Sequence, residues 1–369
     1  MTAAELPALR PGATLLHIGL PKTGTTAVQG AASQLRGALL EQGVCYPGRS
    51  LNHGTASNAL MGRSTAVFEA GPRARWDRIA REVRGHPGAI GWVSYEQIVQ
   101  SSPGVARRFL DELGPDLHVV VTARSYVSLF ASAWQQWIKD AGDLPFDTWL
   151  EAVLAARGAV PGEDPTAVFW RQYDLPAIAR TWAEVVGPDR VTVVLLDKRT
   201  PEVLFDTFER LLGLRSGTLA EAPGDALLSN RGMSLAEAEL VRGVNARMRA
   251  GRAPVSRRHY YRVMRNGAVS TVLRDRVPRA EEGRIAVPVE LATRIAAVGA
   301  EAAGDLGRLG VTVVGDPAVL AEVPADAPAR VPDGASTVDP ALAALAVVGA
   351  TSAALGEGVN FAGGRRWEA

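Results

Sequence analysis

LLHIGLPKTGTTAVQ, residues 15–29, begins as an apolar strand and breaks abruptly into Gly19, Pro21, Lys22, Gly24 and three threonines. A strand that ends in glycines and reopens as a helix gathers backbone N–H groups and the positive end of a helix dipole at one spot. Such a spot suits an anion. The chain has 37 arginines and only three lysines, yet one of those lysines, Lys22, stands inside this turn. In the triphosphate-binding pattern GxxxxGK[ST] the lysine follows the second glycine. Here Gly19 and Gly24 keep that spacing, but Thr25 takes the lysine's place and Lys22 comes before Gly24. Gly24 permits the tight path, Thr23, Thr25 and Thr26 add hydroxyls, and Lys22 supplies a mobile charge.

Around this loop the chain alternates between two patterns. TLLHI (14–18), AIGWVSYE (89–96), LHVVVTAR (117–124) and RVTVVLLD (190–197) read as buried strands. Helical periodicity separates them, starting at Thr25 and recurring over 73–85, 105–114, 126–139, 146–154, 175–187 and 204–214. Continuous apolar strands alternating with helices predict an α/β fold: a P-loop-type parallel β-sheet flanked by helices. Ligands of such sheets bind at the carboxyl ends of the strands. Beyond 215 the strand signal fades and the C-terminal region reads as mostly helical, with Ser234 and Glu237 in capping-box spacing and a further helix near 288–310. The expected division is a core over 1–215, a helical extension packed on it over 216–320, and a Pro/Ala-rich linker and tail over 321–369.

Composition narrows the function. A chain 47% hydrophobic and 21% charged is that of a globular protein with a real core. The net charge of +1 provides no global field for nucleic acid or an anionic membrane, so an anionic ligand must be held by local groups. Cys45 is the only cysteine, and the five histidines lack ligand spacing, so neither a disulfide framework nor a metal site is expected. No basic segment followed by an apolar one opens the chain, and ALAALAVVGATSAAL from Ala341 is short of a bilayer span. The expectation is a cytoplasmic protein without an integral membrane span.

HIGLPKTGTT resembles the 5′-phosphosulfate loop of the sulfotransferases that use 3′-phosphoadenosine 5′-phosphosulfate, in the version common among bacterial and carbohydrate-directed members. A second likeness lies in VVVTARSYVSLFASAW, where Arg124 ends a strand and Ser132 follows eight residues later. The family's 3′-phosphate-binding arginine and serine have that offset. The resemblance spans roughly residues 12–250. It implies 3′-phosphoadenosine 5′-phosphosulfate as co-substrate with no metal required, and a small-molecule or glycan acceptor rather than nucleic acid. The donor site would comprise Pro21, Lys22, Thr23, Gly24, Thr25, Thr26, Arg124 and Ser132. Lys22 would be the catalytic cation. The Arg-Lys-Gly loop of animal cytosolic members is absent; in SNRGMS (229–234) Arg231 either substitutes for it or belongs to a helix-capping turn. For the general base the resemblance offers Glu96, at the end of WVSYE, and His53, in the loop after Pro47.

Other readings stay open at this level. VVLLD (193–197) has the form of a strand ending in a magnesium-binding aspartate, Asp197, which would suit a kinase or NTPase acting on Mg-ATP. A non-catalytic nucleotide-binding module is the third class. Trp134, Trp137 and Tyr173 are either core residues or a sugar-stacking surface, and Tyr126 and Gln135 are candidates to face an acceptor.

Overall fold

Runs of Val, Leu and Ile with no polar alternation demand burial on both faces, and the strands receive it. In the computed structural model, which describes residues 1–64, 71–159, 166–222, 231–251, 255–330 and 338–356, six strands form one sheet. They are β1 Thr14–His17, β2 Val44–Cys45, β3 Ile90–Ser94, β4 Leu117–Arg124, β5 Val191–Leu196 and β6 Thr312–Val314. Their order is β2-β3-β1-β4-β5-β6, and every pair is parallel. The protein therefore has the expected parallel α/β architecture.

In chain order the helices that precede β4 are α1 Thr25–Gln34, α2 Arg36–Glu41, α3 Gly54–Met61, α4 Ala74–Arg84 and α5 Pro103–Leu113. After β4 come α6 Tyr126–Lys139, α7 Phe146–Ala155, α8 Ala167–Tyr173, α9 Leu175–Val186 and α10 Val203–Leu212. The rest are α11 Leu235–Ala250, α12 Arg257–Tyr260, a π-helix over Tyr261–Val269, α13 Ser270–Asp275, α14 Val289–Arg308 and α15 Pro340–Leu355.

The chain divides into two units, and the first holds the sheet: Met1–Leu129, Leu150–Ser229 and Val289–Ala327. One core joins Leu15, Trp92, Val120 and Val194 of the strands to Val28 and Ala31 of α1 and to Phe208 and Leu211 of α10. Elsewhere in this unit α9 packs on β4 and β5, and its Trp182 meets Phe109 of α5 at 6.2 Å between ring centroids. Helix starts follow local chemistry. Ser102 caps α5 ahead of Pro103, and Asp174 caps α9 ahead of Pro176.

Two strands escape the sequence pattern. β2 has two residues and β6 three, too short for any periodicity; parallel pairing with β3 and with β5 defines them. The region read as a helical extension over 216–320 holds β6 as well as helices. After α13 the chain returns to the sheet unit through α14 and β6.

The second unit comprises Phe130–Trp149, Asn230–Pro288 and Pro328–Ala369. Its α11 begins with the expected capping box, the Ser234 hydroxyl accepting from the Glu237 amide. Glu237 is buried and paired with both Arg231 and Arg276. The Asn245 amide donates to the carbonyls of Ile138 and Gly142 and accepts from the Tyr260 hydroxyl. Trp134, at 0% exposure, donates its indole N–H to the Leu144 carbonyl, so it is a core residue. The Pro/Ala-rich linker and tail expected over 321–369 lie partly outside the described residues, and α15 falls within that range.

Candidate active site

β1 lies between β3 and β4, so their carboxyl ends stand side by side where the strand order switches. The loop after β1 continues along β4 for two more bonds, Ile18 N–H to Val120 O and Leu20 N–H to Thr122 O. Then it turns sharply. Gly19 (φ +38°) has no room for a side chain: a Cβ there would lie 2.5 Å from Thr25 Cγ2. Gly24 (φ +74°) is the N-cap of α1 and offers no side-chain acceptor. The first-turn amides of α1 therefore lack the usual capping partner, and no hydrogen bond from the amides of Thr25 or Thr26 is formed among the described residues.

Lys22 lies in the left-handed region (φ +71°); among the described residues Ala141 is the other non-glycine there. Holding a non-glycine residue there costs about 1–2 kcal/mol, and such positions persist only where neighbours fix them. The neighbours do so. Pro21 and Thr23 are buried, Lys22 is exposed, and the Thr23 hydroxyl donates to Leu20 O at 2.5 Å. Thr23 is thus an anchor of the loop. Thr25 is buried and Thr26 exposed at the mouth of α1.

Beneath the loop runs a polar chain that reading the sequence had missed. His17 is buried at 0% exposure with Nδ1 2.9 Å from Ser94 Oγ and Nε2 3.3 Å from Thr122 Oγ1. Thr122 Oγ1 is 2.7 Å from Thr23 Oγ1, and Gln29 Nε2 donates to Ser94 Oγ at 3.1 Å. One proton arrangement satisfies every member. Gln29 donates to Ser94, Ser94 to His17 Nδ1, His17 Nε2–H to Thr122, Thr122 to Thr23, and Thr23 to the Leu20 carbonyl. Gln29 Nε2 also reaches Glu96 Oε2 at 3.3 Å, while Asn52 donates to Gln29 Oε1. A signal did exist in the sequence: His17, Ser94 and Thr122 are polar residues at the ends of otherwise apolar strands.

The two base candidates have different surroundings. Glu96 is half-buried at the start of the turn after β3, with Gln29 as its hydrogen-bond partner among the described residues. His53 is buried, and backbone occupies both of its nitrogens: Nε2 lies 2.9 Å from Pro47 O, and Nδ1 accepts from Ser94 N–H at 3.0 Å. Burial lowers its pKa to about 4. Its place in the fold is that of a structural histidine bridging a loop to β3.

Arg124 ends β4, half-buried, donating to Ser128 O at 3.2 Å. Burial lowers its pKa below the ordinary arginine value, with Tyr173 opposing the shift. Ser132 is half-buried on α6 and falls in the second unit. Arg231 also belongs to the second unit, and all five of its N–H donors are engaged, by Glu237 and by the carbonyls of Leu273, Gly232 and Val272. No donor is left for a phosphate, so Arg231 is a scaffold residue, as the capping-turn alternative implied. Asp197 accepts from the backbone and guanidinium of Arg199 within its own turn. The Tyr126 hydroxyl donates to Tyr173 O, and Gln135 Oε1 accepts from Met233 N–H.

The buried histidines make a prediction about acid. Burial lowers His17 to about 3 and His53 and His118 to about 4. An unfolded histidine titrates near 6.5. Between these values the unfolded chain binds more protons, so stability is full above about pH 6.5 and falls as pH drops toward 4, by up to roughly 1.4 kcal/mol per pH unit for each histidine. Thermal melts at pH 7.5, 6 and 5 should show this fall, and His118→Gln should flatten it.

Fold and loop together define an α/β protein of P-loop type whose first strand–turn–helix brings an uncapped helix N-terminus to the head of its sheet. No family model and no curated protein matches the chain. Among solved structures it is similar to a sulfotransferase from Alicyclobacillus acidocaldarius, at 20% identity over 66% of this chain and 96% of that one, with a TM-score of 0.40.

Proposed function

We propose that this protein is a sulfotransferase that moves a sulfuryl group from 3′-phosphoadenosine 5′-phosphosulfate to a hydroxyl or amine of a carbohydrate, lipid or small natural product. The observation that carries the reading is the loop after β1, where an exposed lysine is held left-handed beside the uncapped N-terminus of α1. A negatively charged 5′-phosphosulfate suits that combination of amides and cation. Pro21, Thr23 and Gly24 fix the path of the loop, Thr25 and Thr26 open the helix, and Arg124 is the 3′-phosphate ligand, with Ser132 carried over from the family pattern.

Transfer breaks the bond between sulfur and the 5′-phosphate oxygen and forms one from sulfur to the acceptor oxygen or nitrogen. Glu96 takes the acceptor proton as that bond forms. Lys22 neutralises charge on the sulfuryl oxygens and on the departing phosphate, which electrostatic stabilisation of a loose transition state requires. Gln29 holds the Glu96 carboxylate by one oxygen.

Calorimetric titration tests the reading. 3′,5′-Bisphosphoadenosine should bind tightly with or without magnesium, and ATP weakly. Arg124→Ala should weaken the bisphosphate by about 10- to 100-fold, the worth of a hydrogen bond to a charged group. A preference for Mg-ATP would replace this reading with that of a phosphotransferase.

A further inference from the structure

The net charge of +1 hides a strong local imbalance. Between Leu240 and Arg274 the sequence holds nine arginines and no acidic residue. Arg242, Arg249 and Arg265 are absorbed by Glu239, Asp143 and Asp140 of the same unit. Arg257 and Arg258, on α12, are exposed and make no ion pair among the described residues; Arg262, one helical turn further, is exposed too. Interior helices do not concentrate like charges this way, since neighbouring cations repel on a helix surface.

An uncharged helix lies against this stretch. α15 runs from Pro340 to Leu355 without a charged side chain. It packs on the π-helix through Ala346 and Ala350, which meet Met264 and Ala268. Gly267 and Gly349 touch so closely that a Cβ on Gly267 would lie 2.7 Å from Gly349 O. Arg262 Nη2 donates to Ala354 O at 3.0 Å, which fixes the end of α15 beside the arginines. Yet α15 leaves large apolar side chains in solvent: Val347 is 63% exposed, Val348 52% and Leu355 66%.

We infer that this face of the second unit docks on an anionic lipid bilayer surface, arginines against the headgroups and the outer side of α15 in the acyl boundary. A polyanion such as nucleic acid or a sulfated glycan would use the arginines but has no use for bare valine and leucine beside them. An anionic membrane surface uses both. The helix lies on the bilayer and does not cross it, because its 16 residues fall short of a span and no described helix is long and apolar enough to cross.

The test is co-sedimentation of the full chain with phosphatidylcholine vesicles containing none or 30 mol% phosphatidylserine, with heparin as competitor. Binding should require phosphatidylserine. Arg257→Gln/Arg258→Gln should weaken it by about 30-fold, each arginine near a charged surface being worth roughly fivefold. Val347→Ser/Leu355→Ser should weaken it by about tenfold and abolish the part that survives 0.5 M salt. Unchanged thermal midpoints in both variants would show that the fold is intact. Failure to sediment with anionic vesicles would overturn the inference. So would vesicle binding indifferent to the valine and leucine substitutions and fully displaced by heparin, which would mark a polyanion site instead.

Discussion

Replacing Lys22 by alanine is expected to lower kcat for sulfuryl transfer by about 100- to 1000-fold, the usual cost of removing a preorganised charge or donor from a transition state, while 3′,5′-bisphosphoadenosine binding changes by less than tenfold. The asymmetry follows from where charge develops. The bisphosphate presents the same phosphates as the bound donor, but only in the reaction does negative charge move onto the bridging oxygen beside Lys22. A second variant separates this role from a structural one. Lys22 is held at φ +71°, a conformation that glycine adopts without the penalty a lysine carries. Lys22→Gly should therefore leave the thermal midpoint unchanged or raise it, by up to about 1 kcal/mol of stability, and still lose transfer. A glycine variant that lost stability and activity together would mean that the lysine only holds the loop. Wild-type turnover in both variants would remove the site from this loop altogether.

The fold was legible wherever burial leaves a long enough trace. β1, β3, β4 and β5 are each four residues or more and almost wholly buried, and the loop announces itself by following one of them with glycines and threonines. β2 and β6 left no trace because a strand of two or three residues has no period to detect; they exist by pairing with β3 and β5. The candidate site residues divide by the same logic. Lys22 and Glu96 stood out because both lie in the turns that follow readable strands. His53 and Arg231 looked equally available in sequence, and only their hydrogen bonds, to Pro47 and Ser94 for one and to Glu237 and three carbonyls for the other, exhaust them. The chain from Gln29 to Thr23 joins positions as far apart as 105 residues, so no local pattern could contain it. The arginine stretch was obscured by averaging, since a whole-chain charge says nothing of where the charges fall.

Glu96→Gln should lower kcat by 100- to 10,000-fold, on the order a positioned general base contributes, with bisphosphate affinity within about twofold. Glutamine has the size of glutamate and can still pair with Gln29 by turning its amide, so the network that runs from Gln29 through Ser94 to His17 is kept. What is lost is the basicity of the carboxylate, which takes the acceptor's proton. The size of the loss should then depend on the acceptor: large for an alcohol, which cannot ionise near neutrality, and smaller for a phenol of low pKa, which arrives partly deprotonated. Gln29→Ala gives a graded counterpart. It removes the amide held 3.3 Å from Glu96 Oε2 and leaves the carboxylate in place, so it should cost about tenfold, the worth of one hydrogen bond of about 1 kcal/mol or slightly more. A uniform loss across acceptors in Glu96→Gln would mean that Glu96 positions the acceptor and that the proton leaves to water. A Glu96→Gln enzyme as fast as wild type with every acceptor would exclude Glu96 as the base, and with His53 sealed by its backbone partners, the acceptor's proton would have to leave to water.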